Sequence, residues 1–375
     1  MILYIEPCCP GSEHTTFNAG YLTESLLEHP NKEAVFCCSV EHYTAIKGYC
    51  EDKGKSLEKI RHETVAIPKN SFFQCLVFYI MIIRKYKPEK VVSLSSDTFH
   101  FSALSIVSWL YEVEICVVIH SALEHQAREL KLKDKILFFR RLPFWIRCFL
   151  RGKRNFLYVI SENIKRNFFK YYYNDERVKT LELWKRVEVI GHPYIYDKYY
   201  VGKEWSSENI KIGFLGVPST DKGFDWLSNE LDNLYKNKDL KDDVFEFYLI
   251  GSGGVYLFPF EVDDKKFLPN EVFLDAINKM DYIIYPFPKE SYFLRASGSM
   301  YEALNFRKPI IASDSEFISS FLSDNGVDYI RLDLNGGLEG VLEKLRNVTR
   351  DDYVHFVNCM DKFVKKQKNF SSFND

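Results

Sequence analysis

Apolar and polar positions along the first half of the chain alternate between two patterns. Short runs that are apolar throughout, such as ILYI at Ile2–Ile5, are separated by longer stretches in which apolar residues recur at helical spacing. Strands that are apolar on both faces and joined through helices are typical of a parallel sheet covered on both sides. The predicted elements are strands at Ile2–Ile5, Ala34–Cys38, Val91–Leu94, Ile115–Ile119, Phe156–Ile160 and Arg186–Ile190, and helices at Asn18–Leu27, Phe72–Tyr86, Phe101–Tyr111 and Glu162–Tyr171.

A second series of the same kind follows a polar, tyrosine-rich stretch. Its predicted elements are strands at Ile210–Leu215, Phe245–Ile250, Tyr282–Tyr285 and Pro309–Ala312, and helices at Phe224–Tyr235, Val272–Lys279, Met300–Leu304 and Ser315–Leu322. The predicted fold class is therefore α/β, with two Rossmann-like doubly wound domains that bind ligands in a cleft at the carboxyl ends of their strands. The predicted division is a first domain at 1–195, a linker at 196–209, a second domain at 210–349, and a C-terminal helix at 350–375 that packs back on the first domain.

Charge and cysteine content narrow the class of protein. The 375 residues include 50 Lys plus Arg and 52 Asp plus Glu, a balance that argues against a polybasic nucleic-acid binder. The nine cysteines have neither the spacing of a secreted disulfide framework nor a CxxC metal signature, which favours a reducing cytoplasm. The chain opens on MILYIEP without the features of a secretory signal. Its longest apolar run, Phe72–Ile83, is shorter than the ~20 residues of a membrane-spanning helix.

The most specific chemistry lies in Tyr292–Ser313, YFLRASGSMYEALNFRKPIIAS. It predicts a loop ending in Ser297-Gly298-Ser299 and a helix that opens at about Met300. Small residues let the backbone approach an anion closely, and the amides and dipole of a helix start attract it. Arg295 can clamp a phosphate through two nitrogens, and Glu302 can accept hydrogen bonds from vicinal sugar hydroxyls. Phosphate and ribose together predict a nucleotide ligand.

Several runs of the second half resemble the donor-binding domain of GT-B glycosyltransferases, in particular those of the GT4 type (glycosyl transferases group 1). IKIGFLGVPSTDKGFDWL is similar to their first strand, glycine loop and Lys-Gly helix start, FEFYLIGSGG to the next strand and turn, and MDYIIYPFP to the strand before the donor loop. ASGSMYEALNFRKPIIAS is similar to the loop and helix that hold the nucleotide sugar. The resemblance covers about residues 210–320. In the first half it rests on the order of elements, the loop Pro10–His14 and the runs VVIHS and VIGHP.

This resemblance implies a GT-B fold and a nucleotide-sugar donor. Two positions depart from the family pattern: Leu294 stands where many members have a first glutamate, and Val217 where they often have an arginine. Lys222 and Arg295 are then expected to share the binding of the diphosphate. Carried over position by position, the donor-binding residues are Gly11, Gly216, Lys222, Gly251, Arg295, Ser297, Gly298, Ser299 and Glu302.

Four side chains are candidates for the catalytic chemistry. Glu13 and His14 lie in the loop after the first strand, and His120 follows a predicted strand, where Rossmann-like sheets present side chains to their ligands. Each is a candidate general base. The alternatives are that His120 is a satisfied core residue and that a retaining enzyme of this fold needs no such base. Arg295 is the candidate for stabilising the leaving group, and His192 is expected to be structural.

The segment 126–155 mixes basic and large apolar residues. It contains ten Lys or Arg against two acidic residues, interleaved with aromatic residues such as Phe144 and Trp145. This composition is typical of a segment that lies on an anionic membrane. The alternatives are a helical pair that covers the sheet and, without a recognised motif to support it, a nucleic-acid surface.

Together these observations predict a glycosyltransferase that moves a sugar from a nucleotide diphosphate to a glycan acceptor. The expected acceptor is lipid-linked, in bacterial surface polysaccharide synthesis at the cytoplasmic face of the membrane. No metal or other cofactor is expected, because the sequence has no DxD motif, so that cations and a helix dipole must stabilise the leaving group. Two alternatives stay open: a nucleotide-sugar epimerase of the same form, and a non-catalytic scaffold subunit, which the departures at Leu294 and Val217 favour.

Overall fold

The computed structural model describes residues 1–68, 71–119, 124, 142–173, 182–196, 204–236, 244–251, 254–260 and 268–367. The chain divides into two units. The N-terminal unit comprises Met1–Ile195 together with Leu294–Ala296, and the C-terminal unit comprises Tyr196–Phe293 and Ser297–Asp375. Arg295 therefore belongs to the N-terminal unit, whereas the serines that follow it belong to the C-terminal unit.

A seven-stranded parallel sheet forms the centre of the N-terminal unit. Its order is β3-β2-β1-β4-β5-β6-β7, so the connections change direction between β1 and β4. In an open α/β sheet this switch point, at the carboxyl ends of the strands, is where ligands bind. The strands are β1 Ile2–Ile5, β2 Ala34–Cys38, β3 Ile60–Thr64, β4 Lys90–Ser93, β5 Glu114–Val118, β6 Asn155–Val159 and β7 Val187–Val189.

Helices connect these strands, and the sequence pattern predicts four of the six that the structure describes. Several begin at a side-chain cap: Ser39 accepts a hydrogen bond from the amide of His42, and Asp97 accepts one from the amide of His100. The helices are α1 Thr15–Glu28, α2 Val40–Asp52, α3 Phe72–Tyr86, α4 Thr98–Leu110, α5 Leu142–Arg151 and α6 Glu162–Tyr173.

The C-terminal unit has a six-stranded sheet of order β10-β9-β8-β11-β12-β13. All neighbours are parallel except β10, which pairs antiparallel with β9 at the edge. The switch point of this sheet lies between β8 and β11. The strands are β8 Ile210–Leu215, β9 Phe245–Gly251, β10 Gly254–Leu257, β11 Tyr282–Tyr285, β12 Ile310–Ser313 and β13 Ile330–Leu332.

The helices of the C-terminal unit cover this sheet with their apolar faces. In the first of them Leu227, Leu231 and Leu234 recur at helical spacing and share a buried core with the strand residues Phe214 and Phe247. The helices are α7 Phe224–Lys236, α8 Asn270–Lys279, α9 Gly298–Asn305, α10 Glu316–Asp324, α11 Glu339–Arg346 and α12 Arg350–Lys365.

The predicted α/β class with two Rossmann-like doubly wound units is confirmed. Elements that the apolar pattern did not predict include the edge strands β3 and β10 and the helix α2. An edge strand pairs on one side only and is half covered, so β3, with the sequence IRHET, lacks the continuous apolar run of a central strand. The donor-loop helix begins at Gly298, two residues before the predicted Met300.

Two further expectations concern the longest apolar run of the chain and the C-terminal helix. Phe72–Ile83 forms most of α3, and none of the helices in the described part of the chain combines the length and apolar character needed to cross a bilayer. The sequence pattern predicts that the helix at 350–375 packs against the first domain. The structure groups α12 with the C-terminal unit, where Tyr353 packs edge-on against Tyr282 and Asp361 pairs with Arg307.

Candidate functional site

The loop after β8 places a cation at the carboxyl end of that strand. Lys222 Nζ donates to the carbonyl oxygen of Leu215 at 3.3 Å. A Cβ atom at position 216 would lie 2.4 Å from the same nitrogen, so Gly216 leaves the space that the ammonium group occupies. Two predicted donor-binding residues therefore meet at the end of the first strand of this sheet.

The neighbouring loops pack backbone against backbone at the same edge. A Cβ atom at Gly251, the last residue of β9, would lie 2.3 Å from the carbonyl oxygen of Gly216. A Cβ atom at Gly223 would lie 1.8 Å from the carbonyl oxygen of Pro286, directly after β11. The loops that follow β9, β8 and β11 thus converge at the switch point, where this fold class binds ligands.

The start of α9 is tied to the end of β11. Tyr285 donates its hydroxyl hydrogen to the carbonyl oxygen of Ser299 at 2.8 Å, and burial raises the pKa of Tyr285, which keeps the phenol protonated. The side chain of Ser297, at the N-cap position, makes no capping hydrogen bond and lies 3.0 Å from the Ser299 hydroxyl oxygen. The side chain of Ser297 therefore takes up none of the first-turn amides of α9, which suits an anion-binding helix start. Within that turn the amide of Met300 donates to the Ser297 carbonyl oxygen at 3.2 Å.

Glu302 lies one turn into α9 with its side chain nearly buried, at 7% exposure. Burial is the main cause of the raised pKa of Tyr285, and the negative charge of Glu302 raises it further. The carboxylate of Glu302 therefore lies near the phenol. Contacts of Gly223 with Pro286 and of Tyr285 with Ser299 thus link Lys222, the start of α9 and Glu302 into one candidate site of the C-terminal unit.

Arg295 has a buried carboxylate partner that sequence analysis missed. Glu124 lies 3.4 Å from Arg295 Nε, and its second oxygen accepts a hydrogen bond from the amide of Leu294 at 3.1 Å. The side chains of Arg295 and Glu124 are only 14% and 3% exposed. Residue 294, where the family pattern has a glutamate, is therefore held by a glutamate from elsewhere in the chain. The 170-residue separation left no local signal of this contact.

A second missed residue, Glu6, organises the switch point of the N-terminal sheet. It directly follows the first strand and is 1% exposed. Its carboxylate accepts hydrogen bonds from the amides of Cys8 and Cys9 at 2.9 and 3.2 Å, from the Asn18 side chain at 2.9 Å and from the Ser95 hydroxyl. The one available signal was a charged residue directly after an apolar strand, a position that presents side chains to the ligand edge.

The loop braced by Glu6 carries three predicted residues. The amide of Gly11 donates to the Glu13 carboxylate at 3.0 Å, and the Gly11 carbonyl oxygen lies 2.6 Å from Nδ1 of His42. His14 precedes α1 in a left-handed conformation, and desolvation by its surroundings lowers its pKa, which keeps the imidazole neutral at neutral pH. A neutral imidazole can accept a proton, so His14 stays a candidate base.

The other two predicted histidines have different outcomes. His120 lies outside the described residues. Burial, together with the nearby His14, lowers the pKa of His192 to about 3, and its ring packs edge-on against Phe17 at 5.2 Å. These contacts fit the structural role predicted for His192.

The described part of segment 126–155 begins at residue 142. In α5 the side chains of Trp145, Ile146 and Phe149 are buried, and the Trp145 ring stacks on Phe72 of α3. Phe144, Arg147 and Arg151 are exposed on the same helix. Most of the apolar residues of α5 therefore belong to the protein core, while its basic residues face solvent.

A cavity of about 480 Å³ opens beside the site, at the carboxyl ends of β11, β12 and β13. None of the predicted donor-binding residues lines it, so we place the candidate site on the convergent loops and on the start of α9. The residues around the cavity include Phe287, Lys289, Ser313, Asp314, Arg331 and Lys344.

Metal-ligating side chains come together at two other places in the described residues. One trio is Glu6, Cys9 and His14, and the other is Asp328, His355 and Cys359. Within each trio the ligand atoms lie within 4.8 Å of one another. Neither trio includes a predicted donor-binding residue of the C-terminal unit.

No protein-family model and no curated protein matches the sequence. Solved structures do match it over nearly its whole length. Sucrose-phosphate synthase from Thermosynechococcus elongatus is 9% identical, with a TM-score of 0.61, 97% of this chain and 94% of the other covered. Anabaena HepE in complex with UDP and glucose is 12% identical, with a TM-score of 0.57 and coverage of 98% and 95%.

The lipopolysaccharide outer core galactosyltransferase WaaB, in its apo form, is also 12% identical, with a TM-score of 0.56 and coverage of 97% and 98%. Identities this low show the fold and no more. Together with the two doubly wound units and their strand orders, the matches identify this chain as a protein of the GT-B fold.

Proposed function

We propose that the protein is a glycosyltransferase that uses a nucleotide-diphosphate sugar as donor. The observation that carries this proposal is that Lys222, the start of α9, which has no side-chain cap, and buried Glu302 lie at one switch point. A cation and a helix start suit a diphosphate, and a carboxylate suits the hydroxyls of a ribose. The structural match to HepE, which was solved with UDP and glucose, supports this assignment.

In the proposed reaction the bond between the anomeric carbon and the diphosphate oxygen breaks. The acceptor hydroxyl oxygen bonds to the anomeric carbon and gives up its proton. Lys222 and the dipole of α9 stabilise the negative charge that builds on the diphosphate. Arg295, held at Nε by Glu124, stays a candidate for the same role, and Glu13 and His14 stay candidates for accepting the proton.

We further propose a glycan acceptor that is lipid-linked and belongs to a bacterial surface polysaccharide. The fold shared with a lipopolysaccharide galactosyltransferase supports this choice of acceptor class. An acceptor anchored in lipid requires the enzyme to work at a membrane surface, on its cytoplasmic side where nucleotide sugars are available.

The surface of α3 and α5 supports membrane docking. Phe73, Val77 and Met81 recur every fourth residue along α3, and their side chains are 69%, 54% and 66% exposed. Arg147 and Arg151 are exposed on α5, which contacts α3 through the stacked rings of Phe72 and Trp145. Exposed apolar and exposed basic side chains on two helices in contact suit an anionic lipid surface.

A screen of nucleotide sugars tests the proposed function. A thermal-shift series with UDP-, GDP-, ADP- and TDP-sugars is expected to show one nucleotide class that raises the melting temperature, because a ligand that binds only the folded state stabilises it. The stabilising donor is then expected to transfer its sugar to a glycan acceptor, or to be hydrolysed slowly when no acceptor is present. Conversion to another nucleotide sugar without acceptor would indicate an epimerase, and tight binding with neither reaction would indicate a scaffold.

The first prediction concerns Glu302. Glu302→Ala is expected to weaken donor binding by about 1.5–3 kcal/mol, the contribution of a charge-assisted hydrogen bond, without unfolding the protein. Isothermal calorimetry with the donor found in the screen measures the change. Glu339→Ala, an exposed first-turn glutamate of α11, is the matched control. Unchanged donor affinity in Glu302→Ala would remove this carboxylate from the site.

The second prediction concerns the membrane surface. Arg147→Glu with Arg151→Glu is expected to weaken binding to phosphatidylglycerol vesicles at least thirtyfold, because each basic residue near an anionic surface contributes about 1 kcal/mol. Co-sedimentation at two salt concentrations measures the loss, and wild-type binding is expected to fall as salt rises. Donor hydrolysis in solution is expected to be unchanged.

Lys47→Glu with Lys236→Glu, on α2 and α7, is the charge-matched control for that double variant. Phe73→Ser with Met81→Ser tests the apolar contribution, which salt does not remove. If the wild-type protein does not bind anionic vesicles at low salt, the result would contradict membrane docking and favour a soluble acceptor.

A further inference from the structure

We propose that Asp328, His355 and Cys359 form a binding site for a transition-metal dication of the Zn²⁺ class. His355 and Cys359 lie on α12, and Asp328 lies in the turn between α10 and β13. The site is separate from the proposed donor site and does not depend on the transfer reaction. It would tie the C-terminal helix of the chain to the last strand of the C-terminal sheet.

The three ligand atoms are already close to the spacing that a tetrahedral ion requires. Cys359 Sγ lies 3.7 Å from His355 Nε2 and 3.9 Å from Asp328 Oδ2. Typical Zn–N, Zn–S and Zn–O distances place such atoms about 3.3–3.6 Å apart around one ion. His355 Nε2 and Asp328 Oδ2 are nearer, at 2.7 Å, because they are joined by a hydrogen bond. A small rotation of the exposed Asp328 carboxylate would lengthen this distance to the value that a tetrahedral ion requires.

Two rigid elements hold the ligands. His355 and Cys359 are four residues apart and so lie on one face of α12. A capping box between Thr349 and Asp352 fixes the first turn of that helix. On the other side, the amide of Val327 donates to the carbonyl oxygen of Leu322 at 2.9 Å, which holds the turn that contains Asp328.

The ligand chemistry selects the class of ion. A thiolate, an imidazole and a carboxylate together suit Zn²⁺ and its neighbours, whereas Mg²⁺ and Ca²⁺ prefer oxygen ligands only. On binding, the Cys359 thiol releases its proton, the hydrogen bond between His355 Nε2 and Asp328 is lost, and the imidazole proton moves to Nδ1 so that Nε2 can coordinate. The side chains of His355 and Asp328 are 60% and 63% exposed, which leaves an entry path and a fourth position for water.

A neighbouring carboxylate increases the negative potential at the site. Hydrogen bonds from Thr349 lower the pKa of Asp352, which lies one turn from His355 on α12. Asp352 is therefore ionised at neutral pH, close to the imidazole that would bind the ion.

The second trio, at the N-terminal switch point, is less suited to a metal. The Glu6 carboxylate already accepts four hydrogen bonds and is shielded from solvent, so an ion would have to displace those donors. Burial and then the charge of Glu6 raise the pKa of Cys9, which opposes formation of the thiolate. This trio serves as the internal comparison for the experiment.

Metal binding to the full-length, metal-free protein tests the proposal. One equivalent of Zn²⁺ is expected to bind in competition with a chromophoric chelator and to raise the melting temperature. Co²⁺, used as a spectroscopic probe, is expected to give a thiolate charge-transfer band. Cys359→Ser is expected to abolish that band, and His355→Gln and Asp328→Asn are each expected to weaken Zn²⁺ binding at least tenfold.

The double variant Cys9→Ser with His14→Gln is expected to keep both the band and the affinity. A band that survives Cys359→Ser but is lost in this double variant would overturn the proposal in favour of the other trio. Absence of stoichiometric Zn²⁺ binding at micromolar concentrations would also overturn it. If Cys359→Ser does not fold, the variants of the exposed residues Asp328 and His355 decide the question, and an unchanged affinity in both would refute the site.

Discussion

Replacing Gly223 by alanine is expected to lower the free energy of unfolding by at least about 2 kcal/mol, because a left-handed backbone costs ~1–2 and overpacking a further ~1–3 kcal/mol. Gly223 has a φ of 71°, and its missing Cβ would lie 1.8 Å from the carbonyl oxygen of Pro286. The two backbones must separate, and Lys222 moves with them. Donor binding is therefore expected to be lost with the stability, as denaturant unfolding and calorimetry would measure.

Gly326→Ala separates the two causes. Gly326 has a φ of 67°, but no atom lies within 4 Å of its Cβ position. The substitution is expected to cost only the backbone strain, about 1–2 kcal/mol, and to leave donor binding intact. Equal losses of stability and equal donor binding in the two variants would show that the contact between Gly223 and Pro286 does not shape the site.

Lys222→Ala is expected to lower kcat by about 10²–10³, the effect of removing one group that stabilises developing negative charge. The affinity for the intact donor is expected to fall much less, because the charge on the diphosphate grows as the glycosidic bond breaks. Steady-state kinetics with a separate calorimetric Kd distinguish the two effects. The fold is expected to survive, since the side chain of Lys222 is only half-buried.

Two further variants sharpen that test. Lys222→Arg keeps the positive charge and is expected to recover part of kcat. Lys236→Ala removes an exposed lysine from the end of α7 and is expected to change nothing. A Lys222→Ala variant that raises KM and leaves kcat unchanged would contradict the leaving-group role.

The central strands were predictable because nearly all of their residues are buried, whichever face of the sheet they lie on. Strands such as β1 and β11 are covered on both faces, so they have continuous apolar sequences whatever lies beside them. Edge strands differ, since β3 and β10 pair on one side and keep polar or exposed residues. β3 pairs with β2, whose residues lie 26 positions earlier, so no local pattern reveals that pairing. β10 pairs with the adjacent β9, but its residues alternate between half-buried and exposed and give no apolar run.

The donor loop was predictable for a related reason. A run of small residues before a helix is a local signal, and Ser297–Ser299 with Glu302 lie within six residues of one another. The partners of these residues were not predictable. Contacts such as Tyr285 with Ser299, or Gly223 with Pro286, form only when the sheet order brings separate loops to one edge.

The sequence by itself thus determined the two doubly wound units and the loop suited to a nucleotide, because periodicity and short motifs depend on neighbouring residues. Only the tertiary structure decided that Glu124 pairs with Arg295, that Glu6 braces the loop of His14, and that Asp328 meets α12. Glu124 and Asp328 contact partners far along the chain, and Glu6 joins the nearby Cys8 and Cys9 to Ser95, 89 residues away. Their roles follow from burial and distance in the folded protein, and neither quantity can be derived from the local sequence.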